Sequence, residues 1–420
     1  MKRLLTMAIA ATCFVPSQAQ NDLGDLTLDA QIRTRGEYRN GGITLRDNGA
    51  IPATFINDRV RLGIGWQRQN LSIKLSAQHT GVWGDDSQTN NSNKGNININ
   101  EAWAKLKFAD GAFVQFGRQT IAYDDERLLG ALDWATTGRS HDALRLGYER
   151  DQHKLHAIFA YNQDAENKID NYYSGKAIYK NMQTLWYHYG TTSPLGLSAL
   201  VINQGVETGV ETGDATNHKT KYMQTMGLYA SYKTKAPLTA NAAFYYQTGK
   251  DKNDNEVNAY MMSINAKWQL TPLLSIAVGD DYISGTKEGG DTNKTFNVLY
   301  GTHHKFYGTM DYFNNTTMPA QGLNDLNASL AVKASKKVDL SAAVHYFAIA
   351  QKLDGYDKSL GTEVDLQINW RVMKDVTLQG GYSVMAATKT MQHYKGGNHN
   401  SWQDWAWVSL NVCPAIFSTK

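Results

Sequence analysis

The densest run of chemically active side chains in the sequence lies between Gly117 and Arg145. It reads Gly117-Arg118-Gln119, then Tyr123-Asp124-Asp125-Glu126-Arg127-Leu128-Leu129-Gly130, then Asp133-Trp134, then Gly138-Arg139-Ser140-His141-Asp142-Ala143-Leu144-Arg145. A guanidinium keeps its charge at any working pH and presents a planar fork that matches a carboxylate with two parallel hydrogen bonds. Arg118, Arg127, Arg139 and Arg145 are therefore candidates for an anion site, with Asp124, Asp125 and Glu126 as partners or as counter-charges at a gate. The same residues would equally make a self-neutralising structural cluster. A second basic set, Arg33, Arg35, Arg39, Arg59 and Arg61, has Glu37 and Asp58 interleaved. Lined up along a lumen, these arginines would lower the barrier for anions and sugar acids. Paired across strands, they would only satisfy one another.

No motif reads as catalysis. The adjacent His303-His304 would sit on opposite faces of a strand, which makes joint metal ligation awkward. There is no His-x-x-x-His pair with an added acid, no Gly-x-Ser-x-Gly and no phosphate-binding loop. Ser140 and His141 are sequence neighbours, poorly placed as nucleophile and base. The expectation is a protein that is not an enzyme and needs no cofactor or metal. Calcium would suit the oxygen-rich runs Gly84-Asp85-Asp86 and Asp251 to Asn255, a composition that solvated turns share.

What must position these side chains is written in period two. From Leu28 to Tyr38 the even positions are Leu, Ala, Ile, Thr, Gly and Tyr, while Asp29, Gln31, Arg33, Arg35, Glu37 and Arg39 occupy the odd ones. Val60, Leu62, Ile64 and Trp66 alternate with Arg59, Arg61, Gly63 and Gly65, and Val364, Leu366, Ile368 and Trp370 with Glu363, Asp365, Gln367 and Asn369. Alternation of this kind is a strand with one apolar and one polar face. Segments of about 9 to 12 residues are long enough for a tilted strand to cross the hydrocarbon core. Turn formers separate them, some in short connections such as Lys374-Asp375 and others in long ones such as Gly84 to Gly95. Trp and Tyr near strand ends, among them Trp83, Tyr161, Tyr232, Trp268 and Trp402, fit girdles at two membrane interfaces.

The fold expected is all-β: a single transmembrane, antiparallel, up-and-down β-barrel of about 18 strands. Lys2 and Arg3, an apolar run from Leu4 to Val15, and Ser17 and Ala19 before a cleavage site make residues 1–19 a signal peptide and 20–420 one barrel domain. No linker or charge block divides the chain, and no apolar run of 18 residues follows the signal. Loss of Lys2 and Arg3 takes 42 basic residues to 40 against 39 acidic ones. That balance gives no argument for nucleic acid. With Cys13 removed, Cys413 is alone and cannot form an intramolecular disulfide.

The Gly-Arg-Gln entry, the acidic pair before Arg127, the Asp-Trp step and the Gly-Arg-x-x-Asp-Ala-x-Arg exit resemble the alginate export family of outer-membrane porins. The resemblance implies a monomeric 18-stranded barrel with loops as gates and an arginine-rich constriction for an anionic uronic-acid polymer. Carried onto this chain, Arg118, Arg127, Arg139 and Arg145 become pore residues, and Asp124, Asp125 and Glu126 their partners or gating charges. Outer-membrane lipid and an anionic polysaccharide or sugar acid are the expected partners, alongside periplasmic export proteins. The alternatives are a general or nutrient-specific sugar porin, in which inward Trp103, Trp186 and Trp407 stack on sugar rings, and a non-conducting structural barrel. The last strand, near Trp402 to Val412, is followed by Cys413-Pro414, leaving Phe417 as the candidate terminal aromatic.

Overall fold

The computed structural model describes residues 23–85, 96–175, 179–208, 218–234 and 237–419. The expected signal peptide and Asp86 lie outside them. The strands are β1 (Asp25–Asn40), β2 (Ala53–Arg68), β3 (Leu71–Val82), β4 (Asn96–Lys107), β5 (Ala112–Gln119), β6 (His141–Arg150), β7 (His153–Tyr161), β8 (Asn181–Tyr189), β9 (Leu195–Glu207) and β10 (Thr220–Lys233). They continue with β11 (Leu238–Lys250), β12 (Glu256–Gln269), β13 (Leu274–Ile283), β14 (Leu323–Lys333), β15 (Val338–Ala348), β16 (Ser359–Met373), β17 (Val376–Ala387), β18 (Gln403–Val412) and the short β19 (Ala415–Ser418). One helix, α1 (Lys389–Lys395), precedes β18.

From β1 to β18 each strand pairs antiparallel with its sequence neighbour, and β1 closes the sheet by pairing with β18 as well as β2. Beyond Cys413-Pro414 the chain resumes pairing with β1 as β19, with Phe417 opposite Leu28. β18 and β19 thus take one place in the ring, and the barrel is 18-stranded. Closure leaves no edge, which a lipid-immersed sheet requires because hydrocarbon offers no partner for free N–H and C=O groups.

The apolar parity faces out. Ile32, Val60, Leu62, Ile64, Leu366 and Ile368 are exposed on the outer wall, as are the aromatics Trp83, Tyr161, Tyr232, Trp268 and Trp402. The charged parity faces in: Arg33, Arg35, Glu37 and Arg59 are buried. Even-to-odd connections are tight, such as 69–70, 151–152 and 374–375, and all gather at one end. At the other end the longest connections, 120–140 between β5 and β6 and 284–322 between β13 and β14, turn into the lumen. The buried apolar core is accordingly inside the barrel: Leu128, Leu129, Phe296, Val298, Tyr300 and Tyr307 belong to these two loops and pack against inward wall residues such as Trp186, Ile202 and Tyr245.

Candidate functional site

The two inward loops are tied to each other before they are tied to the wall. Tyr300 N donates to Leu128 O at 2.9 Å, Gly130 N to Tyr300 O at 3.0 Å and Thr302 N to Glu126 O at 2.9 Å. The Thr302 hydroxyl donates to Glu126 Oε2 at 2.7 Å and accepts from Leu132 N at 3.0 Å. Approach this close needs a residue without Cβ, since one added at Gly301 would lie 2.0 Å from Arg127 O.

The arginines of β1 and β2 hold the 120–140 loop. Arg33 lies directly opposite Arg59 in the β1–β2 register, a like-charge pairing that is unfavourable without acceptors between the groups. The loop supplies them. Arg33 donates to Asp133 O at 2.6 Å and to Ala135 O at 2.9 Å, and Arg35 donates to Trp134 O at 3.0 Å. Arg59 pairs with the Asp133 carboxylate at 2.9 Å, while Arg61 donates to Gln78 Oε1 at 2.7 Å and stands 3.8 Å from Asp133. Glu37 accepts from Arg35 and Arg39, each at 2.8 Å, and from the Trp405 indole at 3.1 Å. The Arg35 guanidinium also lies over the Trp134 ring, 4.0 Å from its centroid. Trp134 in turn stacks on His304 at 4.2 Å and meets Trp407 edge-on at 4.8 Å. Arg39, Arg46, Arg139, Trp134, His304 and Asp311 border a cavity of about 940 Å³.

The 117–145 stretch divides differently from its sequence expectation. Arg118 is not a lumen residue: inward positions of β5 are odd (Phe113, Gln115, Gln119), so Arg118 projects outward and pairs with outward Asp142 at 2.7 Å. Gly117, with φ +108, supplies a conformation rather than chemistry to the Gly-Arg-Gln motif; a Cβ there would lie 2.2 Å from Ala102 O. Arg127 is 3% exposed and so offers no pore surface. It is ion-paired to Asp125 at 2.7 Å and to Asp281 on β13 at 2.9 Å, with its guanidinium 4.1 Å from the Phe306 centroid. Burial opposes its charge, but the two carboxylates more than compensate and raise its pKa. Arg145 faces inward and donates to Gln115 Oε1 at 2.6 Å. Arg139 donates to Gly301 O at 3.0 Å, and among the described residues no carboxylate pairs with it.

The three acids also part company. Asp124 accepts from Ser198 at 2.6 Å and from the Trp186 indole at 3.3 Å, and burial pushes its pKa up to about 6. Glu126 pairs with Lys305 at 2.6 Å; burial works against its charge, but hydrogen bonds from Lys305 and Thr302 bring its pKa below the usual range. Trp186 is buried, with its ring stacked on Tyr123 at 4.3 Å and parallel to His188 at 5.6 Å, so it offers little surface to a sugar. Trp407 is buried against Trp134, while Trp103 is partly exposed. At Asp251 to Asn255, Asp251 accepts Asn253 N and Asn255 N, and Asp254 pairs with Lys221 at 2.6 Å, which makes this a closed turn rather than a calcium loop. Missed in the sequence were Tyr300, Thr302 and Lys305, which meet the 120–140 loop across more than 150 residues. No local spacing signals such a pairing.

A closed barrel of this girth, apolar outside and charged within, is built as an outer-membrane channel of a bacterium. Residues 25–403 match the family model described as Alginate export, and the chain belongs to that family. Among solved structures, the barrel is similar to OpdQ of Pseudomonas aeruginosa at TM-score 0.60 and 13% identity, covering 93% of this chain and 98% of that one. It is similar to OccAB4 of Acinetobacter baumannii at TM-score 0.63 and 10% identity, over 93% and 98% of the two chains. Likeness to OccK3 (OpdO) of Pseudomonas aeruginosa has TM-score 0.63 and 11% identity, over 95% and 99%. Identity this low speaks for the fold alone. No curated protein sequence matches the chain significantly.

Proposed function

We propose that the barrel is a passive diffusion channel for anionic solutes, with uronic-acid oligo- or polysaccharide as its cargo. The observation that carries this reading is a charge imbalance at the lumen wall. Five guanidinium groups, those of Arg33, Arg35, Arg39, Arg59 and Arg61, have ion pairs to only two carboxylates among the described residues, Glu37 and Asp133. Asp311 near Arg35 is shared with His304, and Glu101 near Arg61 with Lys74, while Arg39 and Arg61 are the two of the five whose side chains keep open surface. Their excess positive potential favours a passing anion, and focusing in a low-dielectric cleft strengthens it. Loop carbonyls already fix the guanidinium groups, so little ordering is paid for when a carboxylate arrives. The family's description agrees, since alginate carries one carboxylate on each ring. No bond is made or broken; the cargo moves down its gradient through one barrel, and a polymer would be delivered by a periplasmic partner. The test is the reversal potential of the purified protein in a planar bilayer under a salt gradient, with and without polyuronate. Anion-selective current blocked by the polymer is expected. Cation selectivity would overturn the reading in favour of a nutrient porin, and absence of current in favour of a structural barrel.

A further inference from the structure

A smaller cavity, about 220 Å³, lies where β6 leaves the 120–140 loop. Arg139, Ser140, His141, Asn162, Tyr179 and Tyr300 border it. Asp142, also at its edge, is the one carboxylate bordering it among the described residues, and the Arg118 fork neutralises it with bonds of 2.9 and 2.7 Å. The charge left over belongs to Arg139, which spends one N–H group on Gly301 O. Neutral polar groups complete the wall. His141 is 5% exposed; its Nδ1 is 2.7 Å from the Tyr179 hydroxyl, and its Nε2 has no partner among the described residues. With the Tyr179 hydroxyl donating to Nδ1, Nε2 carries the proton and is a buried donor without an acceptor. Ser140 accepts from Asn100 at 3.3 Å and keeps its own hydrogen to give. Buried donors without acceptors are costly, and an oxyanion is the ligand that satisfies several at once.

We propose that this cavity is a side site for one small carboxylate, with Arg139 as its charge partner and His141 Nε2 and the Ser140 hydroxyl as donors. Arg139 borders this cavity and the 940 Å³ one alike, so a carboxylate held here draws on a charge that the main path also uses. The sugar-acid identity of the ligand rests on the anionic-cargo reading; the site itself does not.

The experiment is calorimetric titration of the full-length folded barrel in detergent with sodium glucuronate, using glucose as the neutral control. The wild type should show saturable glucuronate binding and none of glucose, and His141→Phe, which fills the cavity, should weaken the binding at least tenfold. Folding is checked by the heat-dependent shift in gel mobility; if His141→Phe fails it, Ser140→Val carries the same test. Undiminished binding in the folded variant, or no saturable binding in the wild type, overturns the side site. An anion-selective, polymer-blocked current without glucuronate binding would remove the side site and leave the channel reading. Binding abolished by His141→Phe in a barrel that is not anion-selective would do the reverse.

Discussion

Replacing Arg127 with alanine should loosen both inward loops at once. The guanidinium is the only cation paired with Asp281 among the described residues, and it joins that wall carboxylate, 2% exposed, to Asp125 of the 120–140 loop. Its removal leaves two carboxylates facing each other in a dry site. Breaking a buried pair by deleting one partner costs about 3–5 kcal/mol, most of it the penalty of the charge left behind. At about 1.4 kcal/mol per decade, that shifts the equilibrium toward the undocked loop by roughly a hundredfold to a few thousandfold. The barrel wall keeps its ladder of hydrogen bonds, so the loss should appear in the loops and not in global unfolding. Single-channel recording should show larger, noisier conductance steps, and limited proteolysis should cut between residues 120 and 140 while β-sheet content is unchanged. Arg127→Met combined with Asp125→Asn and Asp281→Asn should restore much of the docking, because no unpaired charge remains. Wild-type conductance and protease resistance in Arg127→Ala would refute the reasoning.

Further outcomes follow from the same geometry. Arg39→Ala and Arg61→Ala, the members of the β1–β2 set with open side-chain surface, should each reduce anion preference in reversal-potential measurements, whereas outward Arg118→Ala should leave it unchanged; a shift in the last variant would mean that the outward parity of β5 is wrong. Asp124 holds its proton to about pH 6 when docked but, exposed, would release it near the usual carboxylate value of about 4. Between these limits the undocked state binds fewer protons, so docking weakens as pH rises from about 4 to about 6 and is level above that. Channel opening should increase over that window, and Asp124→Asn should flatten the profile. Gly301→Ala should force the two loops apart, at a cost of about 1–3 kcal/mol for overpacking, with a matching rise in protease cutting.

The order of strands, their parity and the lumen orientation of Arg33, Arg35, Arg59 and Arg61 were legible in the sequence. Alternation is a local property: side chains two residues apart share a face whatever the rest of the chain does. Even Arg118 was decidable this way, because its parity in β5 opposes that of Gln115 and Gln119. The 120–140 segment was not legible, since a loop has no period and its partners are set by which distant groups reach the same volume. Tertiary structure decided that the arginines of β1 and β2 grip loop carbonyls, that Arg127 is sealed between Asp125 and Asp281, and that Asp124 and Glu126 have separate partners. Barrel closure brings residues more than 150 positions apart within hydrogen-bonding distance, as Thr302 and Glu126 show. Spacing along a chain records the faces of its strands but not the folding of its loops into the space those faces enclose.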